Sequence, residues 1–132
     1  MMKDLIVRLI LRSVPDTKAI YLFGSWGSPA QREDSDIDLA ILPAAPLDNV
    51  ACWNLTQELA GSLKRDVDLI DLLSASTVMR SQVIENGERI YCGDRPGAEA
   101  FESLVFSDYV RLNEERADIL RAVRERGSVH AG

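Results

Sequence analysis

The chain has 132 residues, of which 46% are hydrophobic and 27% charged, a size and composition typical of one ordinary globular domain. Lys and Arg number 15 against 21 Asp and Glu, which gives a formal net charge of −6. Because phosphate backbones are held by basic patches, this acidity argues against direct binding of nucleic acid. It does not argue against a metal site.

No apolar run approaches the roughly 20 residues that a membrane-spanning helix needs. The first ten residues carry charged side chains within their apolar pattern, which is not typical of a signal peptide. The two cysteines, Cys52 and Cys92, are too few for a disulfide framework and do not form a metal-binding pair. We therefore expect a cytoplasmic protein with no membrane contact, consisting of one domain over residues 1–127 and a flexible C-terminal tail over 128–132.

The first part of the chain predicts one helix and two strands. Apolar residues at helical spacing indicate an amphipathic helix over about residues 3–13. A short strand over 19–23 then runs into Gly24, and a polar loop over 26–34 leads to a second strand over 35–42.

The middle of the chain predicts a helix, a strand and a second helix. Asp48 or Asn49 can cap the first helix, whose apolar residues are Val50, Trp53, Leu55, Leu59 and Leu63. A third strand follows over 65–72. The next helix, over about 76–86, is closed by Gly87 at the position where a left-handed cap is common.

The last part predicts a brief strand over 89–91 and a long helix over about 98–126. The complete order predicts an α/β (α+β) domain in which helices flank a small mixed sheet of about four strands. The aromatic residues Phe101, Phe106 and Tyr109 of the long helix exceed what so small a sheet can cover. Exposed apolar patches of this kind often mark a protein interface, although the first half of the helix can equally pack across the sheet.

The residues most informative about function are Gly24-Ser25 and, after ten intervening residues, Asp36-Ile37-Asp38. Side chains alternate along a strand, so Asp36 and Asp38 project to one side, roughly 6.6 Å apart along the backbone. Paired carboxylates repel unless a proton or a cation lies between them, and Mg²⁺ favours a sparse carboxylate site completed by substrate phosphates. A glycine and a serine at a strand end let a triphosphate approach the backbone and offer it neutral donors.

A third carboxylate is expected from the next strand. Asp68 and Asp66 share one face of that strand, and we favour Asp68 because Asp66 lies at the strand entrance beside Lys64 and Arg65. Three acids from two strands suit a two-metal displacement at phosphorus.

Two residues of the intervening loop keep alternative interpretations. Trp26 can stack on a nucleobase or a partner, or can simply cover the sheet edge. Arg32 can reach a triphosphate, or can remain a solvated loop residue.

These motifs resemble a known signature. Gly24-Ser25 followed by Ser35-Asp36-Ile37-Asp38-Leu39 is similar to the motif of the DNA polymerase β-like nucleotidyltransferases, in particular their minimal nucleotidyltransferase (MNT) branch. Asp66-Val67-Asp68-Leu69-Ile70-Asp71 resembles the strand of the third carboxylate. Val83–Gly87 with Ile90-Tyr91 resembles the short helix and last strand, and Tyr109–Arg116 the C-terminal helix of antitoxin members.

The resemblance implies an ATP- and Mg²⁺-dependent transferase that acts as an antitoxin. Members of this branch pair with a HEPN ribonuclease toxin, in a hetero-oligomer, and silence it by attaching AMP to a tyrosine. By this resemblance Gly24 and Ser25 hold the triphosphate, Asp36 and Asp38 bind metal and nucleotide, and Asp68 completes the catalytic and metal site. Two alternatives stay open: neutralisation of the toxin by binding alone, and transfer to a small molecule such as an aminoglycoside.

Overall fold

The computed structural model describes residues 2–24 and 36–131, with side chains as far as Arg126. The described residues form four helices and four strands: α1 (Met2–Ser13), β1 (Ala19–Phe23), β2 (Ile37–Leu42), α2 (Asn49–Leu63), β3 (Val67–Asp71), α3 (Thr77–Asn86), β4 (Glu88–Cys92) and α4 (Arg95–Ala131). This order confirms the predicted α/β architecture with a long C-terminal helix.

The four strands form one sheet in the order β3-β2-β1-β4. β1 pairs antiparallel with both of its neighbours, whereas β2 and β3 are parallel. The sheet is therefore mixed, as predicted. Because β2 and β3 run in the same direction, their first residues meet at one edge of the sheet, where the expected acidic residues lie.

Helices cover both faces of the sheet. Alternate strand residues pack with α1 and α2 on one face, in a core that includes Ile6, Leu9, Ile10, Ile20, Ile37, Leu39, Ile41, Leu55 and Leu59. The other residues pack with α3 and α4 in a second cluster that contains Ala19, Tyr21, Ala40, Leu42, Leu72, Val83 and Ala98. Since Asp38 and Ala40 share a face of β2, alternation directs Asp38 to the side of α3 and α4.

The helix boundaries follow from local side-chain caps. Asp48 caps α2, where its carboxylate accepts a hydrogen bond from the backbone N–H of Ala51 at 2.6 Å. Ser76 caps α3 in the same way, by accepting from Met79 N at 3.1 Å. The choice between Asp48 and Asn49 is thereby settled in favour of Asp48.

The predicted left-handed cap at Gly87 is wrong. Gly87 has an extended backbone with φ −86°, and it is Lys64, after α2, that adopts the left-handed conformation with φ 55°. A glycine is needed at position 87 because a Cβ there would lie 2.5 Å from the carbonyl oxygen of Val83 and 3.3 Å from that of Leu22. The glycine therefore permits close packing of α3 against β1.

The apolar face predicted for α2 needs a second correction. Leu55, Leu59 and Leu63 are buried, but Val50 and Trp53 are 69% and 62% exposed. These two residues lie in the first turns of α2, on the side that faces away from the sheet. They contribute to the surface and not to the core.

The long helix α4 has two different halves. Its first half begins at Arg95, earlier than expected, and packs on the body through the buried residues Ala98 and Val105. From Asn113 to Arg126 every side chain is exposed. Residues 128–131, expected as part of a flexible tail, continue the helix, and the flexibility of this segment stays a prediction. None of the helices in the described part of the chain has the length and apolar character needed to cross a bilayer.

Candidate active site

Two carboxylates lie side by side at the sheet edge. In the parallel pairing of β2 with β3, Asp38 is directly opposite Asp68. The start of this pairing is fixed by a 2.9 Å hydrogen bond from Ile37 N to the carbonyl oxygen of Asp66. Residues opposite each other in a sheet present their side chains to the same face. The register therefore brings together two acids that are 30 residues apart in the chain.

The electrostatics of Asp38 show that the acids influence one another. Partial burial raises the pKa of Asp38 above its ordinary value, and the nearby carboxylates of Asp68 and Asp36 raise it further. Asp36 lies one residue before β2 and is exposed, as is Asp68. The three predicted acids thus form one electrostatic cluster in which a cation would relieve the repulsion.

Gly24 lies against this cluster. It follows the last residue of β1, Phe23, which is the antiparallel partner of Asp38. Gly24 has φ +79°, and a Cβ built on it would lie 2.0 Å from Oδ2 of Asp38. Only glycine combines this backbone conformation with such close approach. The turn therefore brings the Gly24 backbone into direct contact with the Asp38 carboxylate.

The register also separates the two candidates for the third carboxylate. Asp68 is opposite Asp38, whereas Asp66 precedes β3 and lines a separate polar cleft with Lys64 and Arg65. Asp68 and Asp36 are the two carboxylates whose charges raise the pKa of Asp38. The geometry thus favours Asp68 as the third member of the cluster.

Part of the predicted site lies outside the described residues, namely Ser25, Trp26 and Arg32. Among residues 2–24 and 36–131, no three acidic, histidine or cysteine side chains converge closely enough to enclose a metal ion as they stand. The chemistry of the donor set nevertheless fits Mg²⁺, because Asp36, Asp38 and Asp68 are all carboxylates and hard cations prefer oxygen ligands. Their role as metal ligands stays a prediction.

A cleft beside Gly24 was not anticipated from the sequence. It has a volume of about 500 Å³ and is lined by Phe23, Gly24, Met79, Gln82 and Asn86. The three α3 residues are spaced by three and four positions, so they share one helix face, whereas Val83 points into the core. The sequence feature that could have indicated this cleft is the helical spacing of Met79, Gln82 and Asn86 beside the buried Val83.

A small mixed sheet with helices on both faces and a carboxylate cluster beside a glycine turn defines a protein of the nucleotidyltransferase class. The chain belongs to the family described as Polymerase beta, Nucleotidyltransferase, which matches residues 7–96. This match confirms the family inferred from the sequence motifs.

Comparison with individual proteins gives closer similarities. A protein adenylyltransferase named MntA from Shewanella oneidensis is 44% identical over 115 residues, which cover 87% of this chain and 82% of the relative. A chain in a crystal structure of a toxin-antitoxin with AMP-PNP is 41% identical, with a TM-score of 0.83, and the match covers 93% of this chain and 98% of that one. A chain in a structure of tri-AMPylated Shewanella oneidensis HEPN toxin in complex with MNT antitoxin is also 41% identical, with a TM-score of 0.78 and coverage of 92% and 95%.

Proposed function

We propose that this protein is an antitoxin that transfers AMP from ATP to a tyrosine hydroxyl of a partner HEPN toxin, with which it forms a hetero-oligomer. The observation that carries the proposal is the alignment of Asp38 with Asp68 beside the bare backbone of Gly24. The relative named as a protein adenylyltransferase and the two toxin–antitoxin structures support the choice of a protein as the acceptor. A cytoplasmic location belongs to the same proposal, and both cysteines are free, as expected there.

The residues divide into three roles. Asp36, Asp38 and Asp68 would hold Mg²⁺, which when bound neutralises charge on the phosphates and acidifies the attacking hydroxyl. The Gly24 backbone, together with Ser25, would receive the triphosphate. Because β3 is the edge strand of the sheet, Asp68 lies on the outer side of Asp38, and we place the acceptor hydroxyl on that side.

The transfer forms one bond and breaks one bond. The tyrosine oxygen attacks the α-phosphorus of ATP, and the bond from that phosphorus to the bridging oxygen of pyrophosphate breaks. The hydroxyl proton passes to the carboxylate of Asp68, since no other described side chain at the cluster lies on the acceptor side. The products are AMP-tyrosine on the toxin and free pyrophosphate.

The test is to incubate the protein with ATP, Mg²⁺ and its HEPN partner and to weigh the partner by mass spectrometry. We expect a gain of one or more AMP groups that the double variant Asp36→Ala, Asp38→Ala abolishes. Asp66→Asn is the matched control, because it removes a neighbouring charge outside the cluster and should leave transfer intact. Absence of a mass gain, or a gain that the double variant leaves undiminished, would refute the proposal.

Protection of cells provides the second readout. If catalysis is required, the double variant fails to protect cells that express the toxin. Full protection by that variant would instead mean that the antitoxin acts by binding alone.

A further inference from the structure

The cleft between the end of β1 and α3 has the composition of a nucleobase site. Phe23 and Met79 supply apolar walls, and most of its lining surface is apolar. Gln82 and Asn86 supply amides on one side of it. Small-molecule sites typically have this character, with apolar walls and a few placed polar groups in about 300–1,000 Å³.

The position of the cleft beside the glycine turn is fixed by backbone packing. Gly87, directly after Asn86, comes so near β1 that a Cβ on it would lie 3.3 Å from Phe23 Cβ. β4 then continues from this point, with Glu88 paired to Leu22. The last turn of α3 is therefore held against β1, directly before Gly24.

The two amides are already oriented by each other. Asn86 Nδ2 donates a hydrogen bond to Gln82 Oε1 at 3.2 Å. This bond leaves the amide N–H groups of Gln82 as donors and Oδ1 of Asn86 as an acceptor. Adenine presents the complementary pair on its Watson–Crick edge, where N1 accepts a hydrogen bond beside the 6-amino group, which donates one.

We infer that this cleft binds the adenine of ATP and that Gln82 and Asn86 select it over bases with the opposite hydrogen-bonding pattern. The inference rests on the proposed function and adds to it the residues that choose the nucleotide. The order across the sheet supports this assignment over an acceptor site. Asp68 lies on the edge strand β3, Asp38 on β2 and Gly24 after β1, so the cleft is on the side of Gly24 away from Asp68.

The test compares ATP with inosine triphosphate. On the Watson–Crick edge of inosine triphosphate a carbonyl oxygen replaces the 6-amino group and N1 carries a proton, so both hydrogen-bonding directions are reversed. We expect the wild type to prefer ATP in kcat/KM for toxin modification by at least about tenfold. Gln82→Met and Asn86→Leu, singly and together, should reduce this preference to less than about threefold. Gln57→Met, an exposed glutamine on α2, is the matched control and should keep the wild-type preference.

Calorimetric binding of the two nucleotides to the protein alone, in the presence of Mg²⁺, separates this inference from the proposed function. This measurement needs no acceptor, so a failure to modify the toxin would still leave base selection decided. Equal affinity of the wild type for the two nucleotides would overturn the inference. An unchanged ATP preference in the Gln82 and Asn86 variants would overturn it too. If those variants instead raised only the KM for the toxin, the cleft would hold the acceptor side chain and the inference would also fail. Both residues are exposed, and circular dichroism of each variant checks that the fold is retained.

Discussion

Asp68 and Asp71 both lie on β3, yet only the carboxylate of Asp71 is surrounded by hydrogen-bond donors. Asp71 is buried and accepts hydrogen bonds from Leu47 N and Leu73 N, both at 2.9 Å, and from Ser74 Oγ at 3.3 Å. Asp68 is exposed, and its carboxylate receives no hydrogen bond or salt bridge from the described residues, while the carboxylate of Asp38 lies opposite it. A carboxylate that accepts several hydrogen bonds, such as that of Asp71, stabilises the fold. A carboxylate that faces only another negative charge, such as that of Asp68, can still bind a cation or a proton.

The face of the sheet that carries Asp38 shows the same contrast. Deeper on this face, the hydroxyl of Tyr21 donates to Glu102 Oε1 at 2.8 Å, and Arg89 contacts the same oxygen at 3.2 Å. That acid is satisfied by two donors, and it ties β1 and β4 to α4. If the chemistry depends on the carboxylate cluster, as proposed, then chemistry and stability depend on different acids, and mutations should separate the two.

The largest expected effect is on catalysis. Asp68→Asn keeps the size of the side chain but removes the charge opposite Asp38, and we expect it to lower AMP transfer at least about a hundredfold. Because the carboxylate it replaces is exposed and repelled, the free energy of unfolding should not fall. Rates of toxin modification and urea denaturation of the same preparation measure the two quantities. Transfer within a few-fold of wild type would remove Asp68 from the site.

The second effect is on stability and not on catalysis. Asp71→Ala leaves two partly buried backbone N–H groups and a serine hydroxyl without their acceptor, and we expect it to cost about 2–4 kcal/mol of the free energy of unfolding. The rate of AMP transfer per folded molecule should stay close to wild type. Denaturant titration gives the first value, and activity normalised to the folded fraction gives the second. A loss of activity in fully folded Asp71→Ala would contradict the division of roles.

The sequence is sufficient to predict the local part of this contrast but not the part that depends on distant contacts. Alternation along β2 fixes the faces of Asp36 and Asp38, and the bounds of β1 are predicted as found, because both depend on neighbouring residues. The alignment of Asp38 with Asp68 depends on the parallel register of two strands joined by α2, which no local pattern determines. The extended backbone of Gly87 and the cleft beside Gly24 likewise result from the packing of α3 on β1.

The third effect concerns the hydrogen bond from Tyr21 to Glu102, and it depends on pH. Burial and the hydrogen bond to Glu102 raise the pKa of Tyr21 above its ordinary value. The folded protein therefore retains this proton more strongly than the unfolded chain does. The resulting stability is complete below the unfolded pKa of about 10 and is lost as the pH rises above it. Tyr21→Phe removes the hydroxyl, so it should cost about 1 kcal/mol at neutral pH and show a smaller loss of stability between about pH 9 and 11. Denaturation of both proteins across that range checks the difference, and parallel pH profiles would exclude the contribution of Tyr21.

The smallest expected effect on the isolated protein comes from exposed apolar residues of α4, which we compare with a buried residue of the same helix. Ile119 and Val123 are 62% and 59% exposed, whereas Val105 on the same helix is 2% exposed. Lysine at both exposed positions should change the free energy of unfolding by less than about 0.5 kcal/mol, while Val105→Ala should cost roughly 1–3 kcal/mol.

The exposed apolar residues should matter once a partner is present. Ile119 and Val123 are not covered by any described residue. Exposed apolar patches of this kind are often buried by a protein partner. The double lysine variant should therefore weaken association with the toxin in a titration by at least about tenfold. The carboxylate cluster should remain intact, so transfer at saturating toxin should stay near the wild-type rate. Unchanged affinity would show that the toxin binds elsewhere, and a large loss of stability in the free protein would show that this half of α4 packs on the body after all.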